Sequence, residues 1–233
     1  MEFPDALIRG RLIKRYKRFL ADVVLESGET VTAHCANTGA MTGVQDPNSE
    51  VWLSPARNPD RKLKYTWEMI RVSEGLVGIN TAHPNRIISE AIMAGELPEL
   101  RGYRDLRREV KYGKNSRIDI LLSDDDKPDC YVEIKNVHLM RTQGVAEFPD
   151  GVSTRAAKHQ SELSAMANAG ARAVTIYLCQ REDCITFRLA NDIDPAYALA
   201  ASAAKKEGVE ALCYACKLTQ NSIVVSNRLE ILD

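Results

Sequence analysis

Near residue 80 the hydrophobic pattern of the chain changes period, and that change sets what the chain can fold into. Before it, apolar residues come in short runs broken by glycine, asparagine and proline. Residues 18–25 run into Glu26-Ser27-Gly28-Glu29, a turn signal, and residues 30–34 answer them, which predicts a hairpin. Residues 51–53 and 65–72 supply further strands, while Asn37-Thr38-Gly39-Ala40-Met41-Thr42-Gly43 and Asn58-Pro59-Asp60 are loop chemistry. Short strands, glycine-rich turns and no long helix predict a small β-barrel or sandwich over residues 1–80.

After Gly78 the pattern becomes mixed. Residues 85–96 carry Ile87, Ile88, Ala91 and Ile92 at helical spacing. Two strands follow, over residues 116–122 and 130–138. Residues 153–169 read as a second helix, with Ala156, Leu163 and Met166 on one face and Gly170 past its end. Residues 172–178 form a buried strand, and Asp194-Pro195 opens a third helix that closes at Gly208. Residues 81–233 are therefore α/β, and the chain as a whole is α+β in two domains.

Composition narrows the function only where charge is unevenly spread. The 233 residues hold 31 basic and 32 acidic side chains, a net charge of -1, which speaks mildly against a nucleic-acid binder. Yet Arg9, Arg11, Lys14, Arg15, Lys17 and Arg18 lie together with no acidic residue among them, while Asp124, Asp125 and Asp126 cluster elsewhere. No apolar stretch approaches the roughly 20 residues that span a bilayer, so no membrane partner is expected. Met1-Glu2-Phe3-Pro4-Asp5 lacks the layout of a secretory signal, and a cytoplasmic location is expected. The 6 cysteines are then thiols. Cys213-Tyr214-Ala215-Cys216 has C-x-x-C spacing, but residues 209–216 read as a strand rather than a helix start, so buried structural thiols are the expectation.

Strand parity then picks out a constellation. Side chains alternate across a strand, so Arg117, Asp119 and Leu121 share one face of the first strand, and Ile118, Ile120 and Leu122 the other. On the second strand Tyr131, Glu133, Lys135 and Val137 share a face. Ser123-Asp124-Asp125-Asp126-Lys127-Pro128 is short enough to make the two strands a hairpin, which brings Asp119, Glu133 and Lys135 side by side. Two carboxylates and an ammonium suit phosphodiester chemistry. Magnesium takes one or two carboxylates and keeps waters and phosphate oxygens, and a neighbouring lysine stabilises the developing charge. Asp119 and Glu133 are assigned as ligands of Mg²⁺ or Mn²⁺, and Lys135 as the group that positions water. A solvated Glu-Lys-Asp cluster is the plain alternative.

Asp119 followed by Glu133-x-Lys135 within helix-strand-strand-strand-helix-strand resembles the PD-(D/E)xK nuclease fold. Over nearly the whole chain the sequence resembles the sugar fermentation stimulation protein A family. The carrying segments are Arg15-Tyr16-Lys17-Arg18-Phe19-Leu20-Ala21-Asp22-Val23, Asn37-Thr38-Gly39-Ala40-Met41, Glu109-Val110-Lys111-Tyr112-Gly113, Ser116-Arg117-Ile118-Asp119, Pro128-Asp129-Cys130-Tyr131-Val132-Glu133-Ile134-Lys135 and Phe148-Pro149-Asp150. The sequence departs from the family at Ala156, where the family has glycine, and at Ala36, where a proline often stands. The resemblance implies an OB-like N-terminal domain, a nuclease-like C-terminal domain, DNA binding without marked sequence preference and a regulatory link to sugar, notably maltose, use.

Further residues are candidates. Glu90 fits the slot of a first-helix acid that adds a ligand, with Glu109 its rival. Arg155, Lys158 and Glu162 share a helical face that can meet phosphates, and His159 resembles the family's Lys-His pair. OB folds bind nucleic acid with basic grooves and aromatic platforms, so Arg11, Lys14, Arg15, Tyr16, Lys17 and Arg18, beside Phe19, are the expected contacts to DNA, mainly through phosphates. The loop 37–41 offers amides either to phosphate or to barrel closure. A second copy of the chain is a candidate partner. The rival function is a non-catalytic DNA-binding regulator of sugar (maltose) genes; no helix-turn-helix and no sugar-binding pattern is recognisable.

Overall fold

A computed structural model describes residues 1–73, 75–113 and 116–232. The N-terminal strands are β1 (Ile8–Tyr16), β2 (Leu20–Leu25), β3 (Thr30–Cys35), β4 (Glu50–Pro55), β5 (Tyr65–Val72) and β6 (Gly75–Gly78). They run in the order β3-β2-β1-β4-β5-β6, and a parallel pairing of β3 with β5 closes the first five into a barrel. Its interior is filled by Leu12, Val23, Ala33, Val51, Leu53, Trp67 and Ile70, all buried. Gly10 allows the tight crossing of β1 over β2, because a Cβ there would lie 2.6 Å from Val23 Cγ1. The predicted hairpin forms as β2–β3, but its first strand begins at Leu20. Lys17 and Arg18 take left-handed φ of 49° and 63° and turn the chain, so most of the basic run is itself a strand.

The second half is built on a six-stranded sheet ordered β15-β14-β12-β9-β8-β7, with β7 (Asp105–Tyr112), β8 (Ser116–Asp124), β9 (Lys127–Val137), β12 (Arg172–Cys179), β14 (Glu210–Leu218) and β15 (Ile223–Arg228). The central strands β9, β12 and β14 are parallel, buried on both faces and correspondingly apolar. The short strands β10 (Leu139–Thr142), β11 (Val145–Phe148), β13 (Thr186–Leu189) and β16 (Glu230–Ile231) make a small second sheet. Helix α1 (Pro84–Met93) lays Ile87, Ile88 and Ala91 on the face formed by Ile120, Val132, Val174 and Ile176. Helices α2 (Thr154–Asn168) and α3 (Pro195–Lys206) cover the opposite face. Ser153 and Asp194 cap them, accepting from Ala156 N and Tyr197 N. The short strands escape the sequence pattern because they are brief, while β7 is the first strand of the helix-strand-strand-strand-helix-strand order and contains residues 109–111.

One departure from simple alternation matters for the site. Ile120 and Leu122 join the α1-side core, but Ile118 packs with Leu121, Tyr112 and Leu163 on the α2 side. The alternation expected of β8 therefore fails at Asp119. Opposite it in the antiparallel register stands Glu109, whose φ is 54°. A left-handed residue in β7 rotates the edge of the sheet where β8 parts from β9.

Candidate metal centre

The paired residues of β8 and β9 run from Asp124 and Lys127 to Ile120 and Val132. At the next position the Asp119 carboxylate replaces a ladder bond: Oδ2 accepts from Ile134 N at 2.7 Å. Its Oδ1 accepts from Asn85 Nδ2 at 2.9 Å, and the same amide donates to Glu109 Oε1 at 3.2 Å. Asn85 lies in the first turn of α1, so the helix start and the strand divergence jointly fix Asp119.

Glu133 and Lys135 project from the same face of β9. Lys135 Nζ donates to Glu133 Oε1 at 2.7 Å, and the two side chains are only 10% and 4% exposed. His159 of α2 meets the same oxygen through Nδ1 at 2.5 Å. Glu133 Oε2 is buried and accepts no hydrogen bond from the described residues.

The two carboxylates are driven apart in proton affinity. Burial and the neighbouring Glu133 charge push Asp119 up to about 6. Burial also pushes Glu133 up, but the His159 hydrogen bond and the Lys135 charge together hold it below the usual range. An ionised, anchored Glu133 with one open oxygen beside a proton-prone Asp119 is a hard-oxygen donor set. Among the described residues no three His, Cys, Asp or Glu side chains form a cage for a metal ion. Two carboxylates alone would leave the rest of a hard cation's coordination to waters or phosphate oxygens.

Glu90 is not brought to this cluster. Its carboxylate pairs with the Met1 ammonium at 2.9 Å and with Arg86 at 2.6 Å, on a helix face turned away from Asn85. Glu109 is the acid linked to Asp119, through Asn85. Asn85 itself was missed by sequence reasoning; its only signal is its place at the start of the helix preceding the strands.

The basic residues separate into engaged and open ones. Arg15 is turned inward, donating to Asn37 O at 2.9 Å, Gly39 O at 3.0 Å and Arg18 O at 3.2 Å. Arg11 donates to Asn48 O at 3.0 Å. Tyr16 donates to Asp22 Oδ1 at 3.1 Å, with Lys14 Nζ 5.4 Å from its ring centre and 3.9 Å from Asp22. Lys17 and Arg18 are exposed at the hairpin tip with Phe19, which is 49% exposed. Arg155 and Lys158 are exposed on α2; Arg155 reaches His159 Nε2 at 3.4 Å and Lys158 reaches Ser116 Oγ at 3.4 Å.

The loop 37–41 is a junction. Asn37 Nδ2 donates to Ile79 O, its Oδ1 accepts from Gly39 N, and Met41 N donates to Asp150 Oδ2 at 3.3 Å. A Cβ on Gly39 would run into the Asp150 carboxylate. His138 Nε2 stands 3.3 Å from the same carboxylate, a charge partner outside hydrogen-bond geometry, and it draws Asp150 below the usual range against burial. All 6 cysteines are buried thiols. Cys213 and Cys216 fall in different core clusters on opposite faces of β14, so the C-x-x-C spacing joins nothing.

Comparison with known proteins agrees with this architecture. Residues 13–79 match the family model described as the SfsA N-terminal OB domain, and residues 82–222 match that of the Sugar fermentation stimulation protein RE domain. The chain belongs to the sugar fermentation stimulation protein family. A relative in Paramagnetospirillum magneticum, named a sugar fermentation stimulation protein homolog, is 57% identical over 223 residues, covering 96% of this chain and 94% of the relative. Another, from Rhodospirillum centenum, is 57% identical over 231 residues, covering 99% of both. The solved structure of Pyrococcus furiosus SfsA in complex with Ca²⁺ superposes with a TM-score of 0.89 at 25% identity, covering 100% of this chain and 98% of that one. The N-terminal OB barrel and nuclease-like C-terminal domain read from the sequence are thus the architecture of this family.

Proposed function

We propose that the chain binds DNA and hydrolyses its phosphodiester bonds at a divalent-metal centre held by Asp119 and Glu133. The observation that carries this reading is the buried Glu133, fixed through one oxygen by Lys135 and His159 with the other oxygen open. A buried acceptor without a partner calls for an ion or water, and a carboxylate oxygen suits a hard cation. Pyrococcus furiosus SfsA was solved in complex with Ca²⁺, which supports a hard divalent ion in this family. Mg²⁺ or Mn²⁺ bound there supplies Lewis acidity and an activated water.

The chain's own groups do the rest. Lys135 sets a compact positive charge beside Glu133 and stabilises negative charge growing on a phosphate at that position. His159 and Lys135 keep Glu133 ionised, and Asn85 with Ile134 N orients Asp119. DNA approaches by phosphate attraction to exposed cations, Lys14, Lys17 and Arg18 at the barrel hairpin and Arg155 and Lys158 on α2. Arg15 supports the barrel loop from within. Contacts of this kind confer no sequence preference.

The test is direct. Purified protein is incubated with supercoiled plasmid, single-stranded and branched DNA in Mg²⁺, Mn²⁺ or EDTA, beside Asp119→Ala and Lys135→Ala. Metal-dependent cleavage is expected, lowered about 10²- to 10³-fold or more in each variant. If no substrate is cut and both variants bind DNA like the parent, hydrolysis is ruled out and a non-catalytic DNA-binding regulator takes its place.

A further inference from the structure

Beside Glu133, on the α2 side of the sheet, more buried polar atoms lack a hydrogen-bond partner among the described residues. Both carboxylate oxygens of Glu162 and the hydroxyl of Tyr112 share this state with Glu133 Oε2. Orphaned buried atoms are rare, and several in one place point to a bound ion or ordered water.

The geometry that gathers them is built from three elements. Glu162 lies three residues after His159 on α2, so the two side chains share a helical face. His159 grips Glu133 Oε1, which leaves Oε2 as the open acceptor of a side chain only 4% exposed. Tyr112 ends β7, and its ring lies 5.7 Å from that of Tyr131, which shares the Glu133 face of β9. Gly113 follows; a Cβ there would sit 3.2 Å from Glu162 Oε1, so the backbone closes one side of the carboxylate. Burial and the charges of Glu133, Glu162 and Asp119 all raise the proton affinity of the Tyr112 hydroxyl, which places the three carboxylates within electrostatic reach of it. Lys158 offers a competing explanation for Glu162. Its ammonium stands 3.4 Å from Oε1, but it is half exposed and outside hydrogen-bond geometry.

We propose that Glu162 is a ligand of the cation centre: its carboxylate and Glu133 Oε2 together hold a hard divalent cation, with the Tyr112 hydroxyl beside it. This rests on the reading of Glu133 as a metal ligand. With Asp119 the centre then draws carboxylates from three residues that do not close into a cage, and waters or phosphate oxygens complete the coordination. Acidic groups from a helix and a strand then clamp one ion, and cation binding locks α2 to the sheet.

The test reads binding, not cleavage. Tb³⁺ replaces Ca²⁺ at oxygen sites and emits when excited through a nearby tyrosine, so the full chain is titrated with Tb³⁺ and the signal displaced with Ca²⁺. The parent is expected to show tyrosine-sensitised emission. Glu162→Gln is expected to weaken Ca²⁺ binding roughly tenfold or more, and Tyr112→Phe to lose most of the emission while keeping its Ca²⁺ affinity within a few-fold. Lys158→Gln is expected to leave Ca²⁺ affinity unchanged or tighter. Circular dichroism establishes that each variant is folded; should Glu162→Gln not fold, Glu162→Asp takes its place with the same expectation of weakened binding. A folded Glu162 variant that binds Ca²⁺ as the parent does, while Asp119→Asn weakens it, overturns the role of Glu162 and leaves the Asp119–Glu133 centre standing. Absence of Ca²⁺ and Tb³⁺ binding in the parent overturns both.

Discussion

The two central carboxylates differ in what they cost the folded chain. Glu133 is ionised because His159 and Lys135 face it, whereas Asp119 is half-buried next to that charge and carries an affinity for protons raised to about 6. An unfolded aspartate titrates near 4, so between pH 4 and 6 the folded chain holds the extra proton. Stability contributed by that proton is therefore present below about pH 4 and is lost as pH rises through 6. Asp119→Asn removes the penalty while keeping an acceptor for Ile134 N. In EDTA the variant is expected to be about 1–2 kcal/mol more stable than the parent at pH 8, with the difference vanishing near pH 4. Urea unfolding across that range measures it, and a variant less stable than the parent at pH 8 would refute the account. Glu133 and Lys135 were legible because strand parity puts them on one face of β9, and Asp119 because the hairpin brings β8 beside β9, although the alternation of β8 breaks at that residue. Asn85 and Tyr112 were not, because they come from separate elements and no spacing along the chain connects them, and Glu162 was legible only through the face it shares with Arg155 and Lys158.

At the scale of elements, the position of α1 decides where Asn85 meets Asp119, and a buried polar cluster sets that position. Glu68, on β5 of the barrel, accepts from Ser54 Oγ at 2.6 Å, Asn80 Nδ2 at 2.7 Å and His83 Nε2 at 2.7 Å. Against the cost of burial, His83 and these donors hold its carboxylate below the usual range. His83 is the residue that caps α1, two positions before Asn85. A chain of contacts thus runs from the barrel through the helix start to Asp119. Glu68→Ala leaves three donors facing a hole and is expected to cost about 3 kcal/mol, with a loss of divalent-ion affinity as Asn85 shifts. A change below about 1 kcal/mol in chemical denaturation would show that the cluster does not bear on the junction. The helix was legible from its apolar spacing. Its anchor was not, because Glu68 lies in an apolar strand where a lone acid gives no hint of its partners.

Across the whole molecule the barrel and the nuclease-like half share one core. Trp52 and Met69 point out of the barrel, yet both are at most 1% exposed, packed with Ile87 and Ile88 of α1 and with the large sheet. The continuous apolar run Val51-Trp52-Leu53 carried this information in hindsight, since a strand apolar on both faces needs a layer on each side. The change of period near residue 80 marked two halves but not how tightly they join. Backbone contacts add to the join: Gly78 N donates to Gln180 O at 2.8 Å, and Val77 bridges Arg181. The Met1 ammonium, donating to Ile223 O at 2.8 Å, ties the start of the chain to β15. Separating the halves would expose Trp52 and Met69 and strand the Asp150 and Glu68 clusters, so neither half is expected to be stable alone. Denaturant unfolding is therefore expected to be a single transition. Tryptophan fluorescence, which reports Trp52 and Trp67 of the barrel, should coincide with far-ultraviolet circular dichroism, which reports the whole chain. A fluorescence midpoint lower than the dichroism midpoint by about 0.5 M urea or more would mean that the barrel opens first, with about 1 kcal/mol or more separating the two units. Coincidence would mean that the basic hairpin and the carboxylate centre belong to one cooperative unit.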